Sequence, residues 1–184
     1  MNCAAIIIDN IHNVAPIIAQ HKQFLPDDWE VMHLAPEWIK SEADYNKFMT
    51  SREFWESLPF DWVLIFQHDS ELLRTGIDGF LGYSYVGAPW KWQQYGGNGG
   101  LSLRNVKSML SAINALPYHG AAVHGNEDVW FCNALNYLGM NLAPRIICEM
   151  FSVESIFHLG TLGAHAIDKY LTVEECKQIR GQYK

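Results

Sequence analysis

Four short stretches carry side chains whose types and spacing could do chemistry. In "LIFQHDS", Asp69 comes just after an apolar run, where a strand would present a carboxylate at its carboxyl end. Such a carboxylate can hold Mg²⁺ or Mn²⁺, hard ions that take oxygen ligands and keep positions open for phosphate oxygens. It can equally close an Asx turn on its own backbone. In "HGNEDVWF", Glu127 and Asp128 open an expected helix. The helix dipole alone favours acids there. A general base also fits, because the helix end lowers its pKa, burial raises it, and a base that takes its proton as the bond forms need not be strongly basic beforehand. In "GTLGAHAI", His165 lies in a small-residue loop and reads either as a structural histidine or as a ligand. The other seven histidines form no HxxxH or HExxH pair, so a zinc-hydrolase motif is absent.

The fourth stretch is "GAPWKWQQYGGNGGLSLRN", where Gly96, Gly97, Gly99 and Gly100 surround Asn98. Lacking side chains, these glycines let a ligand approach the main chain; a plain hairpin turn is the other reading. No Gly-Lys-Ser/Thr follows, as a phosphate-binding Walker loop requires, and Leu101-Ser102 after Gly99 breaks the dinucleotide fingerprint. Arg104 stands where a nucleophile elbow needs its last glycine. Trp90, Trp92 and Tyr95 beside the glycines offer flat faces that suit a sugar ring, or else cover the core.

Positioning these groups requires strands that end near one another. "AAIIID" (4–9), "WEVMHL" (29–34) and "DWVLIFQHDS" (61–70) read as strands, the last most strongly; "YVGAP", "GLSLR" and "RIICEMF" (145–151) read as further ones. Helices are expected over 13–25, with Pro16 near its start, over 105–116, and over 126–139, with Asn126 as N-cap and Gly139 as stop. Two capping boxes, Thr50-x-x-Glu53 and Thr172-x-x-Glu175, open helices over 50–58 and 172–180. Strands alternating with helices predict an α/β fold, a mostly parallel central sheet flanked by helices, in a single domain over residues 1–184. Ligands of such sheets gather at the carboxyl ends of the strands, where Asp9, Asn10 and Asp69 fall.

Composition narrows the function. With 49% hydrophobic and 18% charged residues the chain is globular, and a net charge of −7 without a Lys/Arg run excludes nucleic acid as a partner. Cys3, Cys132, Cys148 and Cys176 never form CxxC, which argues against a zinc or redox motif. "MNCAAIIIDN" lacks a basic signal-peptide start, and no run approaches the about 18 apolar residues of a transmembrane segment, so a cytoplasmic setting is expected.

In order, "VLIFQHDS", "YSYVGAPW", "GGNGGLSLRN", "NEDVWF", "FSVES" and "GAH" resemble a little-characterised family of small glycosyltransferase-like proteins related to the GT-A superfamily of nucleotide-sugar transferases. The resemblance spans about residues 4–166. It implies a Rossmann-like GT-A fold, a nucleoside diphosphate sugar as donor (a UDP-sugar), a glycan or other hydroxyl as acceptor, and Mn²⁺ or Mg²⁺ as cofactor. The family's Asp-x-Asp corresponds to Gln67-His68-Asp69, so only the metal-binding Asp69 carries over, with His165 as second metal ligand. Gln67, His68, Asn98, Gly99 and Gly100 would border the donor, Asp9 and Asn10 the nucleoside, and Trp90 and Trp92 the acceptor. Asp128, ahead of Glu127, would be the base of an inverting transfer. Two rivals remain at this level. One is a metal-dependent phosphohydrolase or nucleotidyltransferase using Asp9, Asp69, Glu127 and Asp128. The other is a sugar-binding module without turnover, which seven tryptophans would also suit.

Overall fold

The computed structural model describes residues 1–183; Lys184, the last residue of the expected domain, lies outside the described residues. The apolar runs form strands as expected: β1 (Cys3–Ile8), then α1 (Ala15–Lys22) with proline in its first turn, and β2 (Glu30–Leu34). Next come α2 (Glu42–Met49), α3 (Arg52–Glu56), β3 (Trp62–Phe66) and β4 (Ser70–Leu72). A 3₁₀ turn (Ile77–Phe80) leads to β5 (Tyr85–Ala88), β6 (Asn98–Asn105) and α4 (Val106–Ala115). The chain continues through α5 (Ala121–His124), α6 (Glu127–Tyr137) and α7 (Arg145–Phe151). It closes with β7 (Ser152–Val153), β8 (Gly163–His165), α8 (Ile167–Tyr170) and α9 (Val173–Gly181).

The central sheet has the order β2-β1-β3-β6-β5. β1 pairs parallel with β2 and β3, while β6 runs antiparallel to both β3 and β5. Four strands therefore point one way and β6 alone opposes them, which makes the sheet mixed. That reversal matters for the site: the first residues of β6 lie at the same edge as the last residues of β1 and β3. A second, three-stranded sheet, β4-β8-β7, stands beside that edge.

Period-two alternation sorts the core into two layers. Ala5, Ile7, Leu64, Phe66, Leu101 and Leu103 face a cluster completed by α1, the 3₁₀ turn and α7. Ala4, Ile6, Val63, Ile65 and Tyr85 face the other way, against Trp55, Met109, Phe131 and Leu135 from the helices on that side.

Two expected elements differ. Residues 145–151 form α7 rather than a strand. The Ile-Ile pair suggests β structure, but Cys148 and Phe151 are buried while Ile146 and Met150 are exposed, a one-sided helical pattern. Arg145 and Glu149, one turn apart at 3.0 Å, pair along the outer face. The capping box at Thr50 is displaced by one residue: Ser51 caps α3 by accepting from the Phe54 amide, while Thr50 closes α2, which the sequence reading did not anticipate. The box at Thr172 forms as expected.

The start of α6 is capped from a distance. Asn126 occupies the N-cap position without using its side chain as a cap. Instead the Glu127 amide donates to Asn46 Oδ1 at 3.0 Å, and Asn46 Nδ2 donates to Asn126 Oδ1 at 3.2 Å. Asn46→Ala would leave a buried amide without its acceptor and is expected to lower stability by about 1–2 kcal/mol. Urea unfolding checks this; an unchanged midpoint would show that Asn46 is not the cap.

Candidate active site at the carboxyl edge of the sheet

The edge gathers three chain segments. β1 delivers Asp9 and Asn10, β3 delivers Gln67, His68 and Asp69, and the reversed β6 begins there with Asn98, Gly99 and Gly100. The Gln67 amide donates to the Gly100 carbonyl at 2.8 Å, continuing the β3–β6 ladder past the strand end.

His165 lies at the centre of this edge. β8 places it opposite Ser70 of β4. Its Nε2 is 3.2 Å from Asp69 Oδ1 and 3.1 Å from Gln67 Oε1. Its Nδ1 is 3.3 Å from Glu154 Oε1, within ion-pair range though outside hydrogen-bond alignment. Burial disfavours a charged ring, but contact with the Asp69 and Glu154 carboxylates outweighs it and pushes the His165 pKa up to about 9. His165 in turn holds the Asp69 carboxyl below its ordinary value. The two residues named for a metal, 96 positions apart in the chain, are thus neighbours.

Gly100 explains part of the glycine stretch. A Cβ there would fall on the His165 ring, and one at Gly99 would come within 2.7 Å of Arg104 Nη2 and Glu127 Oε1. The room left by the missing side chains is taken up by the protein's own charged groups. Gly96 meets a different demand, a left-handed turn at φ +68° against Cys132.

Behind the glycines, Arg104 is fully buried and pairs with Glu127 through two bonds, Nη1 to Oε2 at 2.6 Å and Nη2 to Oε1 at 2.8 Å. Glu127 is thereby held in a bidentate ion pair with a buried guanidinium, which makes it an anchor. Asp128 accepts only from neutral backbone amides. Its Oδ2 accepts from the Gly99 amide at 2.9 Å and its Oδ1 from the Val129 amide at 2.7 Å. Burial, and then the charge of Glu127, raise its pKa to about 6 despite these bonds.

A cleft of about 350 Å³ opens beside the edge, lined in part by Asp9, Asn10, Gln67, His68 and Tyr45. It brings four of the expected donor-side residues together. The Tyr45 hydroxyl is buried without a hydrogen-bond partner among the described residues, and burial followed by the Glu127 charge raises its pKa. Asn98 instead spends its side chain internally, its Oδ1 accepting from the Gly100 amide at 2.7 Å. Trp90 and Trp92 stack with ring centroids 4.8 Å apart, and Trp92 is exposed; neither lines the cleft. Sequence reasoning missed Arg104, Glu154 and Tyr45 as contributors. Arg104 had a readable signal: Ser102 and Arg104 alternate with Leu101 and Leu103, a polar stripe in an otherwise apolar strand.

The chain belongs to the family described as "Protein of unknown function (DUF5672)", whose model matches residues 28–165. Comparison with curated proteins gives no match. Among solved structures, the chain is similar to a glycosyltransferase involved in the glycosylation of the major capsid of PBCV-1, with TM-score 0.51 and 10% identity over 89% of this chain and 92% of that one. A197 from STIV aligns with TM-score 0.47 and 14% identity, covering 79% of this chain and 80% of that one. The first likeness shows a shared α/β fold. Among the described residues, no helix is long and apolar enough to cross a membrane.

The raised pKa of His165 sets a pH dependence. Its stabilising contribution is complete below the unfolded value of 6.5 and is lost as pH rises towards about 9. The stability difference between the native chain and His165→Gln should therefore shrink by up to about 3 kcal/mol between pH 6 and pH 9.5. Denaturant unfolding at both pH values reads it; a constant difference would contradict the charged His165.

Proposed function

We propose that the chain is a glycosyltransferase that moves a sugar from a nucleoside diphosphate sugar, a UDP-sugar, to a hydroxyl of a glycan or other acceptor with inversion. One observation carries this reading. The Gly99–Gly100 dipeptide touches a raised-pKa carboxylate on one side and the Asp69–His165 pair on the other. A proton acceptor and a candidate cation site thus flank two adjacent residues at the end of the sheet where ligands of such folds bind. The fold shared with a capsid glycosyltransferase is consistent with it.

The Asp69 carboxylate offers the oxygen donor that Mn²⁺ or Mg²⁺ prefers, with the His165 imidazole nitrogen 3.2 Å away and Glu154 behind its other nitrogen. A carboxylate in that position orients a liganding imidazole. Asp69 and His165 would hold the ion once Nε2 gives up the proton that its raised pKa keeps on the ring, and the bound ion would supply charge neutralisation on the diphosphate oxygens. Asp9 and Asn10 would meet the nucleoside, and Gln67 and His68 the phosphate side of the cleft. The acceptor oxygen attacks the anomeric carbon, the bond to the diphosphate breaks with its electron pair, and Asp128 receives the hydroxyl proton. With a pKa of about 6 the Asp128 carboxylate is ionised at neutral pH, yet basic enough to take a proton as the bond forms. The exposed face of Trp92 would receive the acceptor ring. All four cysteines are buried and free, which suits a reducing, cytoplasmic compartment.

The test is Mn²⁺-dependent thermal stabilisation by a panel of nucleoside diphosphates, followed by product analysis of slow donor hydrolysis. Release of free sugar and nucleoside diphosphate is expected. Asp69→Asn should abolish metal-dependent nucleotide binding with the fold intact, and Asp128→Asn should keep donor binding while slowing turnover about 10²-fold. Cleavage between the phosphates would instead indicate a phosphohydrolase. A free sugar bound better than its nucleotide form would indicate a binding module.

A further inference from the structure

At the mouth of the cleft, a second group of ligand-type side chains converges, and none of it uses Asp69 or His165. Asp9 Oδ2 is 2.8 Å from His12 Nδ1 and 3.4 Å from His68 Nδ1, and the ligand-type atoms of all three residues lie within 4.8 Å of one another. The two imidazoles stack with centroids 3.6 Å apart and planes 16° from parallel, so one of these exposed rings would have to rotate for both to direct a nitrogen lone pair at the same ion.

The arrangement is held from behind. The Ile11 and His12 amides donate to Asp9 Oδ1 at 2.7 and 2.8 Å, which turns Oδ2 towards the two rings. Asn10 Nδ2 donates to the Pro36 and Ile39 carbonyls at 2.7 and 2.9 Å, pinning the same loop. A capped turn after β1 would account for Asp9 and His12 alone. It does not account for His68, which arrives from the end of β3 and brings its Nδ1 to the same oxygen.

We propose that Asp9, His12 and His68 form a transition-metal site best suited to Zn²⁺, distinct from the Asp69–His165 pair. Four ligands about 2.0–2.1 Å from a tetrahedral ion sit about 3.3 Å from one another, and the two measured separations from Asp9 Oδ2 bracket that spacing. Two imidazoles and one carboxylate favour Zn²⁺ and its late-row neighbours over Mg²⁺ or Mn²⁺. Three protein ligands leave a fourth position, as in zinc sites that keep a water or substrate oxygen. All three residues also line the cleft, so that position is open to a ligand bound there.

The test uses the full chain with any affinity tag removed and no nucleotide present: Zn²⁺ titration by calorimetry, and Co²⁺ titration followed by its visible absorption. In Asp69→Asn, where the Asp69–His165 pair is broken, one saturable Zn²⁺ per chain is expected. His12→Gln and His68→Gln should each weaken binding at least about ten-fold and diminish the Co²⁺ bands, while Asp69→Asn keeps both. The two rings are 43% and 41% exposed, so both variants should fold, and a melting curve without metal verifies it. Failure to saturate at one equivalent, or an affinity unmoved by both histidine variants, would overturn the site. Either result leaves the nucleotide reading standing, because that reading is tested with Mn²⁺ and depends on Asp69.

Discussion

The site depends on one buried ion pair. Arg104 and Glu127 meet inside the layer between β6 and α6, with the guanidinium 4.8 Å above the Tyr85 ring and its Nε donating to Ser102 Oγ at 2.9 Å. Removing both charges from water is costly, and removing one partner alone leaves the other stranded at about 3–5 kcal/mol. The pair is tolerable because its polar atoms are nearly all engaged. It also dictates its surroundings: any side chain at residue 99 would collide with it, and the helix whose first residue is Glu127 cannot slide without breaking two bonds. Asp128, the next residue, inherits its position from that anchor.

Around this anchor, two groups are tuned in different ways. Burial and the Glu127 charge raise the Asp128 carboxyl; two carboxylates raise the His165 imidazole against its own burial. The glycine pair lies between them and contributes no bulk of its own. Near neutral pH the edge therefore presents an ionised carboxylate on one flank and a protonated imidazole on the other. The proposed transfer, with an anionic leaving group and a hydroxyl nucleophile, would use such a separation. A shared fold does not fix the chemistry, so the functional reading stands on these side chains.

Much of the framework was legible along the chain. β1 and β3 are continuous apolar runs, as strands buried on both faces must be, and the polar residues that follow them do reach the sheet edge. Asp69 and His165 were paired through family resemblance; no spacing rule could join residues that meet only when the small sheet closes on the large one. α7 was misread because β-branched residues signal strand more loudly than the spacing of Cys148 and Phe151 signals helix. Asn46 capping α6 was not legible at all, since its partner lies 81 residues away. Arg104 was read as a break in a motif, although its alternation with leucines marked a charge facing inward. The glycines were read as room for a ligand, whereas at residues 99 and 100 that room holds the protein's own ion pair and imidazole.

The most direct test of the central claim is the anomalous scattering map from a crystal grown with Mn²⁺ and a nucleoside diphosphate. The account predicts one manganese peak between Asp69 Oδ1 and His165 Nε2, with diphosphate oxygens in contact with it and the nucleoside lying along Asp9 and Asn10. A nucleotide bound in the cleft with no manganese at that pair, or manganese held only elsewhere on the molecule, would contradict it.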